Sequence, residues 1–118
     1  MLTFFWYEKC STCQKAKAWL DENNISYELK DLMTQTPSAE NFQQYLTESK
    51  LPTRRFFNTS GALYRKKNLK TQVEDFSIQQ AAELLASDGY LVRRPLLILD
   101  GHFFANGFVE EKYEELKK

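Results

Sequence analysis

Two cysteines, Cys10 and Cys13, stand between an apolar run and an amphipathic one, and this junction constrains the fold more than any other feature of the chain. Leu2-Thr3-Phe4-Phe5-Trp6-Tyr7 is aromatic and uncharged, the pattern of a buried strand. From Gln14 to Asn23, apolar Ala16, Ala18, Trp19 and Leu20 alternate with polar Lys15, Lys17, Asp21 and Glu22 in the manner of a helix. A cysteine between strand and helix meets the positive end of the helix dipole and several unpaired backbone N–H groups. Both favour thiolate over thiol. Cys10 is therefore expected to be nucleophilic, with Cys13 one helical turn further on and close enough to resolve a disulfide.

The remaining pattern sets this junction in an α/β sheet. Ile25-Ser26-Tyr27-Glu28-Leu29 alternates as a half-buried strand does, after a turn at Asn23-Asn24. A strand–helix–strand unit of this kind places two parallel strands side by side. Ser38 reads as the N-cap of a helix running to about Ser49, with Phe42, Tyr45 and Leu46 on one face. Short helical turns follow, with a polar bend at Asn58 to Gly61 and a helical piece from Ala62 to about Leu69. Ser77 opens a further helix whose apolar face is Ile78, Ala81, Ala82, Leu84 and Leu85, ending near Asp88-Gly89. The strand Leu96-Leu97-Ile98-Leu99, the hairpin turn Asp100-Gly101, a return strand from His102 to Ala105 and a last helix from Val109 to Leu116 complete the chain. This order resembles that of a thioredoxin-like fold: a mixed four-stranded sheet flanked by helices, with an all-helical insertion at about 38–89.

At 118 residues the chain reads as one domain, 1–118, and 42% hydrophobic with 14% aromatic residues supports a core that needs no disulfide staple. Formal net charge is zero, so no global attraction to nucleic acid or to membrane is expected. The basic residues Lys50, Arg54, Arg55, Arg65, Lys66, Lys67 and Lys70 form a run without acidic neighbours, read here as a solvated face. Glu8 and Lys9 break the first apolar run too early for a signal peptide, and no stretch has the ~18–20 apolar residues of a membrane span. With two closely spaced cysteines the expected compartment is the cytoplasm and their expected role catalytic.

A structural zinc site would need two more soft or imidazole ligands beside the cysteines, and the chain offers one histidine, His102. No metal and no bound cofactor are expected, and His102 reads as an exposed turn residue. Two inert core cysteines are the bland alternative, since free cysteine packs as a small hydrophobe. A second constellation, Arg93-Arg94-Pro95, stands directly before the third strand. Proline at such a strand start deletes a ladder donor and, in thioredoxin-like folds, is held cis opposite the active cysteine. An arginine just before it can hold an oxyanion bidentately and favour a nearby thiolate.

Taken together, Tyr7-Glu8-Lys9-Cys10-Ser11-Thr12-Cys13-Gln14-Lys15-Ala16, Phe56-Phe57-Asn58-Thr59-Ser60-Gly61, Arg93-Arg94-Pro95-Leu96 and Asn106-Gly107-Phe108 resemble the arsenate reductase-like (ArsC/Spx/MgsR) family of the thioredoxin superfamily. The resemblance implies a thiol–disulfide oxidoreductase with Cys10 as nucleophile, Cys13 as resolving thiol and Arg94 as anion ligand. Ser11, Thr12, Asn58, Arg93 and Pro95 would line the substrate, a small oxyanion such as arsenate or a disulfide. Turnover would draw on an external thiol reductant, glutathione with glutaredoxin or thioredoxin.

The chain departs from the founding arsenate reductases at two of their oxyanion arginines, where it has Asn58 and the stretch Ala105-Asn106-Gly107. Those enzymes also lack a cysteine matching Cys13 and depend on outside thiols for resolution. The other implied role is that of Spx-like regulators, which bind the C-terminal domain of the RNA polymerase α-subunit and use a Cys-x-x-Cys pair as a redox switch. Their docking loop carries a glycine where this chain has Leu51-Pro52.

Overall fold

In the computed structural model, which describes residues 1–117, the central sheet is built from β1 (Leu2–Trp6), β2 (Tyr27–Asp31), β3 (Leu96–Leu99) and β4 (His102–Asn106) in the order β2-β1-β3-β4. β1 runs parallel to β2 and antiparallel to β3, and β3 runs antiparallel to β4. Helix α1 (Ser11–Glu22) makes the crossover between β1 and β2. Between β2 and β3 lies a wholly helical stretch: α2 (Ala39–Ser49), α3 (Ala62–Lys66), α4 (Ile78–Ser87) and four short 3-10 turns. Helix α5 (Glu110–Tyr113) and a final 3-10 turn close the described chain.

Strand alternation divides the core in two. Leu2, Phe4 and Leu97 face α1 and Tyr113, where Trp19, Leu20 and Ala16 complete one cluster. Phe5, Leu96 and Ile98 point the other way, into a larger cluster with Phe42, Phe56, Phe57 and Leu85. The aromatic residues of the first strand thus serve both faces, as period-two geometry requires. A register shift between Leu97 and Ile98 leaves Phe104 without a partner in β3, so Phe104 and Ala105 both reach the α1 side.

Local signals set the helix ends. The Ser38 side chain accepts from the Asn41 amide at 3.1 Å, and Ser77 forms a reciprocal capping box with Gln80. Asp100 and Gly101 both take positive φ, 52° and 85°, as a tight hairpin demands.

Several sequence expectations shift. Helix α1 begins at Ser11, three residues earlier than its apolar periodicity suggested, because Cys10 supplies the cap. β2 starts at Tyr27; Ile25 still closes α1 through its amide to the Leu20 carbonyl at 3.0 Å. As part of an edge strand, Leu29 is 42% exposed, and Ile78, in line with Ala81, Ala82 and Leu85, is 43% exposed at the first residue of α4. The last helix splits at Tyr113, and the helical piece after Gly61 ends at Lys66. His102 is more than a turn residue: its ring meets the Glu48 carboxylate of α2 at 2.5 Å, and the Phe103 amide donates to the same group at 2.9 Å. No helix among the described residues is long and apolar enough to cross a membrane.

The segment after β4 is held in part by the Gly107 amide, which donates to the Pro95 carbonyl at 2.9 Å. Gly107 takes φ +70°, and the Tyr113 hydroxyl donates to its carbonyl at 2.7 Å from a fully buried position. Tyr113→Phe strands that carbonyl and should lower unfolding free energy by ~1–2 kcal/mol in urea titrations.

Candidate active site

Cys10 is the N-cap of α1, with an extended backbone (φ −90°, ψ 115°). Its amide donates to the Tyr7 carbonyl at 3.0 Å, and its carbonyl accepts the first helical hydrogen bond, from Gln14, at 3.0 Å. The Cys13 amide donates to the Cys10 sulfur at 3.2 Å, the place an oxygen occupies in ordinary caps. The Ser11 and Thr12 amides belong to the same first turn and make no protein hydrogen bond among the described residues. Their side chains are exposed, and Cys10 is partly exposed above them. Negative charge on the Cys10 sulfur thus meets one aligned N–H and a helix N-terminus.

Cys13 is different. It is fully buried, and both cysteines are free thiols. Burial above all, then its hydrogen bond to Cys10, pushes the Cys13 thiol far above the usual thiol range. A Tyr7 backbone hydrogen bond and the charge of Arg94 oppose the shift without cancelling it. One sulfur is presented to solvent while its neighbour is kept protonated behind it.

Arg94 approaches from β3. Its peptide bond to Pro95 is cis, and Pro95 is buried at the mouth of the strand. The guanidinium lies over the Tyr7 ring, Cζ 5.2 Å from the ring centre, and its Nη1 is buried with no hydrogen-bond partner among the described residues. Arg94 shares a cavity of about 330 Å³ with Asn58, Leu63, Asp88 and Tyr90. Asn58 reaches it through the predicted bend, whose amide bonds join Asn58 to Leu91 at 2.8 Å and Gly61 to Asn58 at 3.0 Å. A Cβ on Gly61 would come within 2.6 Å of the Asn58 side-chain nitrogen, so a larger residue there would displace the Asn58 amide.

The structure brings Cys10, Cys13, Ser11 and Thr12 together at one helix start. Arg94 is near enough to act on Cys13 by its charge, while the cavity Arg94 shares with Asn58 is lined by neither cysteine. Arg93 parts from them. Its guanidinium packs on Gly107, where a Cβ would lie 3.1 Å from both Nε and Nη2, and it lines a different cavity. Asn106 is also occupied elsewhere, donating to the Arg55 carbonyl at 2.9 Å.

Two residues escaped the sequence reading. Tyr7 supports Arg94, and Tyr90 stacks edge-on against Tyr7 at 5.4 Å with the hydroxyls 3.4 Å apart. Tyr7 could have been noticed from its place three residues before Cys10. Tyr90, at the end of a helical stretch, carried no signal.

The raised Cys13 thiol has a consequence for stability. The folded protein holds this proton more tightly than the unfolded chain, so the contribution is complete below the unfolded thiol value of ~8.5 and is lost as pH rises above it. Chemical denaturation between about pH 8.5 and 10 should show falling stability, with a flatter profile in Cys13→Ala. Equal slopes in the two proteins would contradict the assignment.

The sequence model of the ArsC family matches residues 5–116. The chain is 45% identical over 114 residues to YusI of Bacillus subtilis (strain 168), covering 97% of this chain and 96% of that protein. It is 30% identical over 112 residues to the global transcriptional regulator Spx of Streptococcus agalactiae serotype V (strain ATCC BAA-611 / 2603 V/R), covering 95% of this chain and 80% of that one. The crystal structure of a protein described as a "possible arsenate reductase" from Streptococcus mutans UA159 superposes with a TM-score of 0.93 at 43% identity, covering 100% of this chain and 98% of the other. With its mixed four-stranded sheet and flanking helices, the chain has the thioredoxin-like fold and belongs to the ArsC family.

Proposed function

We propose that this protein is a thiol–disulfide oxidoreductase in which Cys10 is the nucleophile and Cys13 the resolving thiol. The observation that carries the reading is the asymmetry of the pair: Cys10 caps α1 partly exposed, and Cys13 is buried and protonated one turn later. In the first step the Cys10 thiolate attacks one sulfur of a substrate disulfide. The substrate S–S bond breaks, one half leaves as a thiolate, and the other remains joined to Cys10. The Cys13 sulfur then attacks Cys10 and its proton passes to the departing second thiolate. Two electrons have moved to the substrate, and a Cys10–Cys13 disulfide remains for an external dithiol reductant such as thioredoxin, or for glutathione with glutaredoxin.

Arg94 has the role of anion ligand in this scheme. Its buried, unpartnered Nη1 suits a negative group arriving beside the cysteines. The same geometry suits an oxyanion bound by Cys10 and Arg94. Asn58 in the Arg94 cavity and the engaged Asn106 supply no charge where the founding arsenate reductases have arginines, which favours disulfides over arsenate as substrates.

A second reading draws on the relative named a global transcriptional regulator, 30% identical over 95% of this chain. There the cysteine pair would act as a redox switch and the partner would be the C-terminal domain of the RNA polymerase α-subunit. Leu51-Pro52 follows α2 where those regulators carry their docking glycine, a substitution that disfavours the same contact here. Retention of that domain on immobilised protein, without disulfide turnover, supports the regulator; turnover without retention supports the enzyme.

With a small-molecule disulfide and a thioredoxin system, Cys10→Ser should abolish turnover and Cys13→Ser should accumulate a mixed disulfide at Cys10, visible by intact mass. Normal turnover in either variant contradicts the scheme. Arg94→Ala should slow Cys10 alkylation at neutral pH by about tenfold, equivalent to ~1.4 kcal/mol of lost stabilisation of the reacting sulfur.

A further inference from the structure

The basic run that reads as a solvated face does something more specific once folded. Arg54, Arg55 and Lys70, far apart from Arg93 in sequence, converge with it on a single cavity of about 560 Å³. None of the four is ion-paired among the described residues. Arg93 Nε, lying on Gly107, is buried and has no hydrogen-bond partner among the described residues. Four cations that line one cavity without ion-pair partners favour an anion there.

The backbone that carries Arg93 and Arg55 is fixed before any ligand arrives. Arg93 donates its amide to the Phe56 carbonyl at 2.8 Å, and Asn106 fastens the Arg55 carbonyl at 2.9 Å. An isolated bridge between Phe57 and Val92 ties the same two segments together. Gly107 leaves the space in which the Arg93 guanidinium lies. Tyr64 is nearly buried at the cavity wall, and Glu74 places one carboxylate on the same lining. Three guanidinium forks and an ammonium against one carboxylate leave a strong positive excess, and the volume falls in the range of small-molecule sites.

We propose that this cavity is a binding site for a small anion bearing a diphosphate group. Two linked phosphates present enough charge and enough oxygen atoms to engage several forks at once, which a single carboxylate cannot. Glu74 would repel the phosphates but can accept from a ligand hydroxyl, so a hydroxyl-bearing diphosphate such as a nucleoside diphosphate suits the lining best. The site is separate from the cysteine pair, and Arg93 and Arg94, adjacent in the chain, each serve one of the two cavities.

The test is titration of the full chain with inorganic pyrophosphate, ADP and, separately, a duplex oligonucleotide, read by calorimetry and amide NMR shifts. Saturable one-to-one binding of pyrophosphate or ADP with Kd below about 1 mM, and shifts at Thr59, Tyr64 and Arg93, is expected. Tighter binding of ADP assigns the source to a nucleotide, and equal binding assigns it to the diphosphate alone. Arg54→Gln and Lys70→Gln should each weaken binding by about tenfold, or ~1.4 kcal/mol, and Lys66→Gln with Lys67→Gln should leave it within about twofold. Absence of saturable binding overturns the proposal, as does equal weakening by the Lys66 and Lys67 changes. Tighter binding of the oligonucleotide than of either small anion at the same residues also overturns it.

Discussion

A helix that begins on a sulfur is the constraint from which the site is built. Most helices satisfy their first free amides with a serine, threonine or aspartate oxygen; α1 uses Cys10, which accepts from the Cys13 amide at 3.2 Å. That one contact does two jobs. It completes the helix start, and it sets an N–H and the helix dipole against the atom that would carry negative charge. Cys13, the donor, lies on the face of α1 that carries Ala16 and Leu20, and it is buried with them.

The sheet makes this arrangement possible by bringing both walls of the site to one end of its two central strands. β1 and β3 are neighbours, so the turn leaving β1 and the segment entering β3 arrive side by side. The first delivers Tyr7 and Cys10, and the second delivers Arg94. Tyr7 then joins the two, its carbonyl accepting from Cys10 and its ring lying under the Arg94 guanidinium. The helical stretch between β2 and β3 contributes Asn58 and Tyr90 to the Arg94 cavity, and it brings Arg54, Arg55 and Lys70 to the neighbouring one. Two cavities of different chemistry thus share a single dipeptide, Arg93-Arg94, as their common wall.

The parts of this design that depend on local chemistry could be read from the residues. Ser38 and Ser77 as caps, Asp100-Gly101 as a hairpin turn and the cysteine pair at a helix start each rest on contacts within a few positions. What could not be read was set by packing across the fold. Tyr7 and Tyr90 meet across 83 positions, and neither residue type signals a partner at that distance. Arg93 and Arg94 look equivalent in sequence, yet backbone direction around the strand start sends one to Gly107 and the other to Tyr7. The basic run looked like a solvated face because its convergence on Arg93 exists only after the 3-10 turn at Thr53–Phe56 is bonded to the β3 approach. Ile78 follows the helical period and is still exposed, as the first residue of α4.

The oxidised state tests most directly whether Cys10 and Cys13 act as one dithiol. Intact-mass and peptide mapping of the native protein after treatment with one equivalent of oxidised glutathione should find a Cys10–Cys13 disulfide, two hydrogen atoms lighter than the starting chain. Released glutathione should appear in step with it. A stable glutathione adduct on Cys10, with Cys13 still a free thiol, would contradict the claim that the buried sulfur resolves what the exposed one captures.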